Sequence, residues 1–375
     1  SVLYRNQGGG VFVPVAIPKV ADWAIGGGWF DFDNDGDLDL FVVRYVHWDP
    51  AAEPFCGDAT QGLRTYCHPN FYTGLSNLLF RNDKGKFVDV SAASGIGKHI
   101  GKGMAVAFGD LDGDGLVDAF VTNDTVPNFL FRNRGDGTFT EMGDLAGVGF
   151  NDDGRALSSM GADFRDIDND GRDDLFVTAL HNETFPFYRN TGKMLFEDRT
   201  YPSKIGKATM AYSGWSCGAF DFDNDGWKDL FVAGGDVQTN TERFSSRASK
   251  QTNLLLRNKG DGTFEPVVTG TPAWHRGAAF ADFDHDGSID VVVTRLGETP
   301  VLQMGTKPAG HWLRLRLEGT KSNRDGVGAR VMIGKQTNHV TTAVGYASTS
   351  SREVHFGVGA ASVIPSVVIH WPSGA

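Results

Sequence analysis

Asp31–Asp39 reads DFDNDGDLD, and the chain carries this nine-residue pattern five times. The other copies are Asp110–Asp118 (DLDGDGLVD), Asp166–Asp174 (DIDNDGRDD), Asp221–Asp229 (DFDNDGWKD) and Asp282–Asp290 (DFDHDGSID). They align without gaps, and their starts lie 79, 56, 55 and 61 residues apart. Small and aromatic residues precede each copy, as in Gly26-Gly27-Gly28-Trp29-Phe30. An apolar run follows each one: LFVV, AFVT, LFVT, LFVA and VVVT. Those flanks predict two buried strands joined by an Asp-rich loop.

A second element recurs further along each unit. It reads LYRNQGGGVF from Leu3, LFRNDKGKF from Leu79, LFRNRGDGTF from Leu130, FYRNTGKMLF from Phe187 and LLRNKGDGTF from Leu255. Strand, glycine-containing turn, strand is a hairpin signal. The whole unit then holds four antiparallel strands in about 55 residues, which is a propeller blade. The predicted fold is an all-β β-propeller with Asp-rich loops in five blades. The opening Leu3–Val15 looks like the second half of a unit, which suits a ring closed by pairing N-terminal strands with C-terminal ones. The long first spacing maps to an insertion over residues 45–74.

The Asp loops suggest metal chemistry. Carboxylates stand at positions one, three, five and nine, and glycine at position six permits the sharp turn. The candidate ligands are Asp31, Asp33, Asp35 and Asp39; Asp110, Asp112, Asp114 and Asp118; Asp166, Asp168, Asp170 and Asp174; Asp221, Asp223, Asp225 and Asp229; and Asp282, Asp284, Asp286 and Asp290. Position seven would add a backbone carbonyl, from Asp37, Leu116, Arg172, Trp227 and Ser288. So many crowded carboxylates repel one another without a cation. Calcium accepts about six to eight oxygens in adaptable geometry, so about five structural Ca²⁺ ions are expected. An EF-hand needs a Glu at position twelve and flanking helices. Position twelve is instead Val42, Val121, Val177, Val232 or Val293, and the flanks are strand-like.

Charge agrees with this reading. The chain has 375 residues and a formal net charge of −11. Set apart, the 20 motif carboxylates leave the rest at +9, and five divalent cations would bring the total to about −1. The acidity is therefore local. No basic stripe with interleaved aromatics suggests nucleic acid, and no apolar stretch is long enough to span a bilayer. Forty-nine glycines and 27 phenylalanines fit many short strands and tight turns.

Three cysteines are present. Cys56 and Cys67 lie in the insertion, where a loop disulfide is the preferred pairing over free thiols or zinc. A disulfide together with weak calcium sites points to an extracytoplasmic location: secreted, periplasmic or on the cell surface. Cys217 reads as a buried strand thiol.

These repeats resemble the FG-GAP/VCBS repeats of integrin-α-like propellers. The last segment resembles the ASPIC/UnbV domain, on the strength of His311-Trp312-Leu313-Arg314-Leu315, Ser322–Ala329, His355-Phe356-Gly357-Val358-Gly359 and His370-Trp371-Pro372-Ser373-Gly374. The resemblance implies a seven-bladed ring with calcium in the blades. Two of seven blades would then lack Asp loops or be built from the termini. It divides the chain into a propeller over 1–305 and an ASPIC/UnbV-like segment over 306–375 that could complete the ring. It implies no reaction.

Motifs for catalysis are scarce. His47, His68, His275 and Arg276 are candidates to line a pocket at the channel mouth, against the alternative of surface or packed residues. Phe55, Tyr66, Phe71 and Tyr72 on the insertion could stack on sugar rings, or could pin the loop to the ring. Three functions follow: a binding or adhesion module for glycan or extracellular protein, a carbohydrate-active or natural-product-tailoring enzyme of lyase or dehydratase type working in the channel, or a scaffold part of a larger secreted protein.

Overall fold

The computed structural model describes residues 2–306 and 310–374. The expected domain junction at 305/306 is thus seen only in part, because residues 307–309 lie outside the described residues. Four four-stranded antiparallel sheets follow one another in chain order. The first is Ala24–Phe30, Asp39–Arg44, Leu78–Asp83 and Lys86–Asp89. The second is Gly103–Gly109, Asp118–Asn123, Phe129–Asn133 and Phe139–Glu141. The third is Ala162–Arg165, Asp174–Val177, Phe187–Gly192 and Leu195–Asp198. The fourth is Gly214–Phe220, Asp229–Gly234, Gln251–Asn258 and Phe264–Ala273. A fifth sheet has three strands, His275–Ala281, Asp290–Arg295 and Glu298–Gln303. In every sheet the Asp loop joins the first strand to the second, as the flanking sequence predicts.

The core lies between neighbouring blades, where their apolar faces meet. Phe30 stacks on Phe108 at 4.4 Å, Phe120 meets Phe164 edge-on at 6.0 Å, Phe187 meets Phe264 at 5.9 Å and Phe220 stacks on Phe280 at 4.7 Å. Buried and, at Phe220, partly buried Phe rings thus link each blade to the next, and each adds packing geometry to its area of burial. Cys217 sits fully buried in such a layer.

Three expectations need correction. Among the described residues the fifth blade has no fourth strand, and the hairpin motif is replaced there by Gln303-Met304-Gly305. The N-terminal strands Leu3–Asn6 and Phe12–Val15 pair only with each other, so among the described residues they close no ring. The channel is also filled. Residues Thr342–Ser351 of the C-terminal segment run along the inner strands. Thr342 Oγ1 bonds both the N–H and the carbonyl of Trp29. Gly345 N–H donates to Ala162 O, Tyr346 N–H to Ser216 Oγ, and Ser351 N–H to Phe280 O. Glycines on the inner strands leave room for this thread. A Cβ on Gly28 would stand 2.9 Å from the Ala343 Cβ, and one on Gly277 would stand 2.9 Å from the Ser348 Oγ. The described residues build five blades, and the count of seven stays an expectation of the resemblance.

The remaining C-terminal residues form two small sheets. His311–Leu315 pairs with Val354–Gly359, while Arg330–Ile333 lies between Gln336–His339 and Val368–His370. They sit on the Asp-loop side of the blades. Lys228, four per cent exposed, shows how: its Nζ donates to Asp166 O at 2.8 Å and to Thr337 O at 3.0 Å. The insertion leaves from the opposite ends of the strands. A bridge between Val46 and Gly74 closes its base. Its far side reaches the fourth blade, where Gln238 bonds both main-chain groups of Tyr66.

Candidate metal centres

Each Asp loop folds by the same local bonds. The position-one carboxylate caps the turn, as Asp31 does for Asp35 N–H and Gly36 N–H at 3.1 and 3.0 Å. Asp110, Asp221 and Asp282 repeat both bonds, and Asp166 repeats the one to the glycine. Position five accepts the N–H of position seven in all five loops. Positions four and six have positive φ, which glycine and asparagine tolerate best. The result is a curled loop whose side chains point inward.

That curl gathers three of the four predicted carboxylates in each loop, leaving Asp35, Asp114, Asp174, Asp229 and Asp286 outside the clusters. In each loop three carboxylates offer oxygens within 4.8 Å of one another: Asp31, Asp33 and Asp39; Asp110, Asp112 and Asp118; Asp166, Asp168 and Asp170; Asp221, Asp223 and Asp225; Asp282, Asp284 and Asp290. These groups can hold a metal ion. The donor set fits a hard cation, because Asp112 Oδ1, Asp166 Oδ1 and Asp223 Oδ1 are buried and receive no hydrogen bond. Burial, reinforced by neighbouring carboxylates, pushes Asp31 up to about 6, Asp221 to about 7, and Asp39 and Asp229 to about 8. Asp118 and Asp174 are raised well above the ordinary range for the same reasons.

Position nine has a second task. Its Oδ2 accepts the N–H of position two in every loop, as Phe32 N–H donates to Asp39. Its Oδ1 accepts an N–H from the end of the third strand: Asn82, Asn133, Asn190, Asn258 or, in the fifth blade, Gly305. One buried side chain thus ties loop and hairpin together.

The hairpin Asn is a residue whose role sequence reasoning missed. Asn190 donates to Asp173 O in its own loop and to Leu111 O in the preceding blade, and its Oδ1 accepts Gly192 N–H. Asn133 and Asn258 make the same set, reaching back to Phe32 O and Ile167 O. The Arg before each Asn was missed as well. Arg132, Arg189 and Arg257 pair with the position-three carboxylates Asp112, Asp168 and Asp223. In the first blade Arg81 pairs with Asp83 instead, and the fifth loop draws Arg314 from the C-terminal segment onto Asp282 at 3.0 Å. A signal existed. A hairpin requires only turn residues, so the Arg-Asn pair at constant register in four blades was surplus to it.

The four weak catalytic candidates hold separate posts. His47 is exposed and pairs with Asp22 at 2.7 Å. His68 is exposed and caps the short helix Pro69–Phe71. His275 is buried, with its Nδ1 2.8 Å from Gly234 O. Arg276 lies over the Trp215 ring at 3.9 Å and donates to Asp236 O. Apart from Arg276 donating to the His275 carbonyl, no hydrogen bond joins any two of them among the described residues. Cys56 and Cys67 form the expected disulfide. No helix among the described residues is long and apolar enough to cross a membrane.

Comparison with known proteins agrees with the repeats. Residues 319–375 match the family described as ASPIC and UnbV. Residues 110–177, 166–232 and 241–293 match the FG-GAP-like repeat. Cartilage acidic protein 1 of Homo sapiens is 28% identical over 303 residues, covering 76% of this chain and 43% of that protein. The Xenopus tropicalis protein of the same name is 28% identical over 307 residues, covering 76% and 44%. The chain therefore spans less than half the length of the curated relatives it matches. Among solved structures, an Agrocybe aegerita lectin described as recognising non-reducing terminal N-acetylglucosamine has a TM-score of 0.43 at 16% identity, covering 78% of this chain and 68% of that one. An exotype rhamnogalacturonan lyase has a TM-score of 0.37 at 14% identity, covering 76% and 56%. Likenesses this distant say nothing about ligand or activity. The chain carries FG-GAP-like repeats followed by an ASPIC and UnbV domain.

Proposed function

We propose that this chain is an extracellular β-propeller that holds about five structural Ca²⁺ ions and serves as a binding module for a glycan or an extracellular protein. The observation that carries the reading is the set of five carboxylate clusters in one register, three of which hold a buried oxygen without a hydrogen-bond partner. In this role Asp35, Asp37, Asp114, Leu116, Arg172, Asp174, Trp227, Asp229, Asp286 and Ser288 complete the coordination through side chain or carbonyl. The propeller over 1–305 and the C-terminal segment over 306–375 act as one body, since the latter docks on the cages. The disulfide fits an oxidising compartment.

The insertion is the binding surface in this reading. It exposes Phe55, Tyr66 and Phe71 at 53, 63 and 65%, so these three rings do not pin the loop. Tyr72 instead donates to Glu53 at 2.6 Å, a bond within the insertion itself. A channel enzyme is the weaker reading, because Thr342–Ser351 occupies the space where its substrate would sit. The test is to incubate calcium-loaded protein with a panel of polysaccharides and to read both retention and new chain ends. Retention without new ends, lost on Tyr66→Ala, is expected. New chain ends would overturn the proposal in favour of an enzyme.

A further inference from the structure

The Asp loops are bridged to one another by the residue at position four. Asn34 of the first loop donates to Gly115 O of the second at 3.3 Å. Asn169 of the third donates to Gly226 O of the fourth at 3.0 Å, and Asn224 of the fourth to Gly287 O of the fifth at 3.0 Å. One junction breaks the rule. Position four of the second loop is Gly113, which has no side chain to send to the third loop. Arg330 of the C-terminal segment bonds Gly171 O there instead. A Cβ on Gly113 would meet nothing within 4 Å.

At this junction lies a cavity of about 690 Å³ between the second and third loops and the C-terminal segment, with Gly113 in its lining. That size lies within the usual ligand-pocket range of about 300–1,000 Å³. The lining mixes two chemistries. Phe30, Phe108 and Trp371 supply apolar surface. Asp173, Thr341 and Arg330 supply polar groups, and each has an atom without a partner: Asp173 Oδ1, Thr341 Oγ1 and Arg330 Nε. Asp173 and Thr341 are only four and five per cent exposed. Position eight is apolar in the first, second and fifth loops and Lys228 in the fourth, so a carboxylate at Asp173 is a second local departure from the repeat. Buried polar atoms without partners are costly and are normally matched by a bound group.

We infer that this cavity is a saccharide site, taking one or two neutral sugar rings through hydroxyls matched to Asp173, Thr341 and Arg330 and through apolar ring faces packed on Trp371. Alternating hydroxyl and C–H faces suit a pocket with apolar walls and a few convergent donors and acceptors. Asp110, Asp114, Asp170 and Asp173 line the cavity against Arg330 and His339, and one divalent cation per loop offsets only two of its four ligand carboxylates, so an acidic sugar is disfavoured. The site rests on the glycan arm of the proposed function but lies on the opposite side of the ring from the insertion.

The test is calorimetric titration of the calcium-loaded full chain with a panel of neutral disaccharides and one galacturonate disaccharide. Binding of at least one neutral disaccharide and none of the uronate is expected. Gly113→Asn should weaken that binding at least tenfold with the melting temperature unchanged. Asn already occupies the same left-handed backbone in the first, third and fourth loops, so this variant restores the bridge without strain. Trp371→Ala should weaken binding similarly, and Tyr66→Ala should leave it alone. If both cavity variants bind like the parent and Tyr66→Ala does not, this site is wrong while the insertion reading stands. If no neutral disaccharide binds, or only the uronate does, the inference is overturned.

Discussion

The two sides of this propeller are held by different physics. On the Asp-loop side, buried carboxylates, the hairpin asparagines and the C-terminal segment share one network that runs from blade to blade. On the insertion side, a disulfide and two polar side chains, Gln238 and Asn240, hold a loop that is largely exposed. The first arrangement is cooperative, because Asn133, Asn190 and Asn258 each bond two blades. The second is local. Damage on the first side should therefore unfold the molecule, and damage on the second should free only the insertion.

Removing the cation should separate the two sides most. Binding at 100-fold over the dissociation constant contributes about 2.7 kcal/mol per site, so five sites reach the order of 10 kcal/mol, comparable to a whole domain's stability. A chelator should lower the melting temperature sharply, and more at pH 8 than at pH 5. The sign follows from the raised carboxyls. Asp31, Asp221, Asp39 and Asp229 titrate at about 6, 7, 8 and 8 in the metal-free fold, above the unfolded value of about 3.9. Their protonated forms favour the metal-free fold at low pH, and that contribution is lost as pH rises through 6 to 8. Bound cation displaces those protons, so the loaded protein should not follow. Melting curves with and without chelator at both pH values decide this. An equal drop at pH 5 and pH 8 would break the comparison.

A smaller effect is expected from Asn190→Ala. It strips a donor from Asp173 O and Leu111 O and an acceptor from Gly192 N–H, all near the buried loop. The loss should be about 2–4 kcal/mol by denaturant unfolding, in one cooperative transition. A second transition for the third blade alone would show that blades unfold independently.

The smallest global effect belongs to the disulfide. Replacing Cys56 and Cys67 by Ser removes a constraint on an 11-residue separation, worth about 3 kcal/mol in the chain-entropy view. Because the insertion is local, limited proteolysis should speed up within 45–74 while the main melting transition stays within a few degrees. A collapse of the main transition would show that the insertion is part of the cooperative network after all.

Much of this was legible in the sequence. Five Asp loops in register identify blades and metal cages because ligand spacing and strand alternation are both short-range properties. The insertion was legible from the long first spacing between Asp loops. The Arg-Asn pair was visible but under-read, since its partners lie in another loop or another blade. His47, His68, His275 and Arg276 could be named but not placed, since burial and neighbours decide whether a histidine works or packs.

What only the tertiary structure decided is where distant segments meet. Nothing local in Thr342–Ser351 tells that it fills the ring, because its contacts are with strands some 70 to 310 residues earlier. The same holds for Arg330 reaching the third loop in place of the side chain that Gly113 lacks. The chain itself determined the repeat, the cages and the pairing of neighbours, all settled by bonds within one unit. The three-dimensional packing decided which gaps between units are closed, and by what, because closing a gap depends on the whole set of blades being in place.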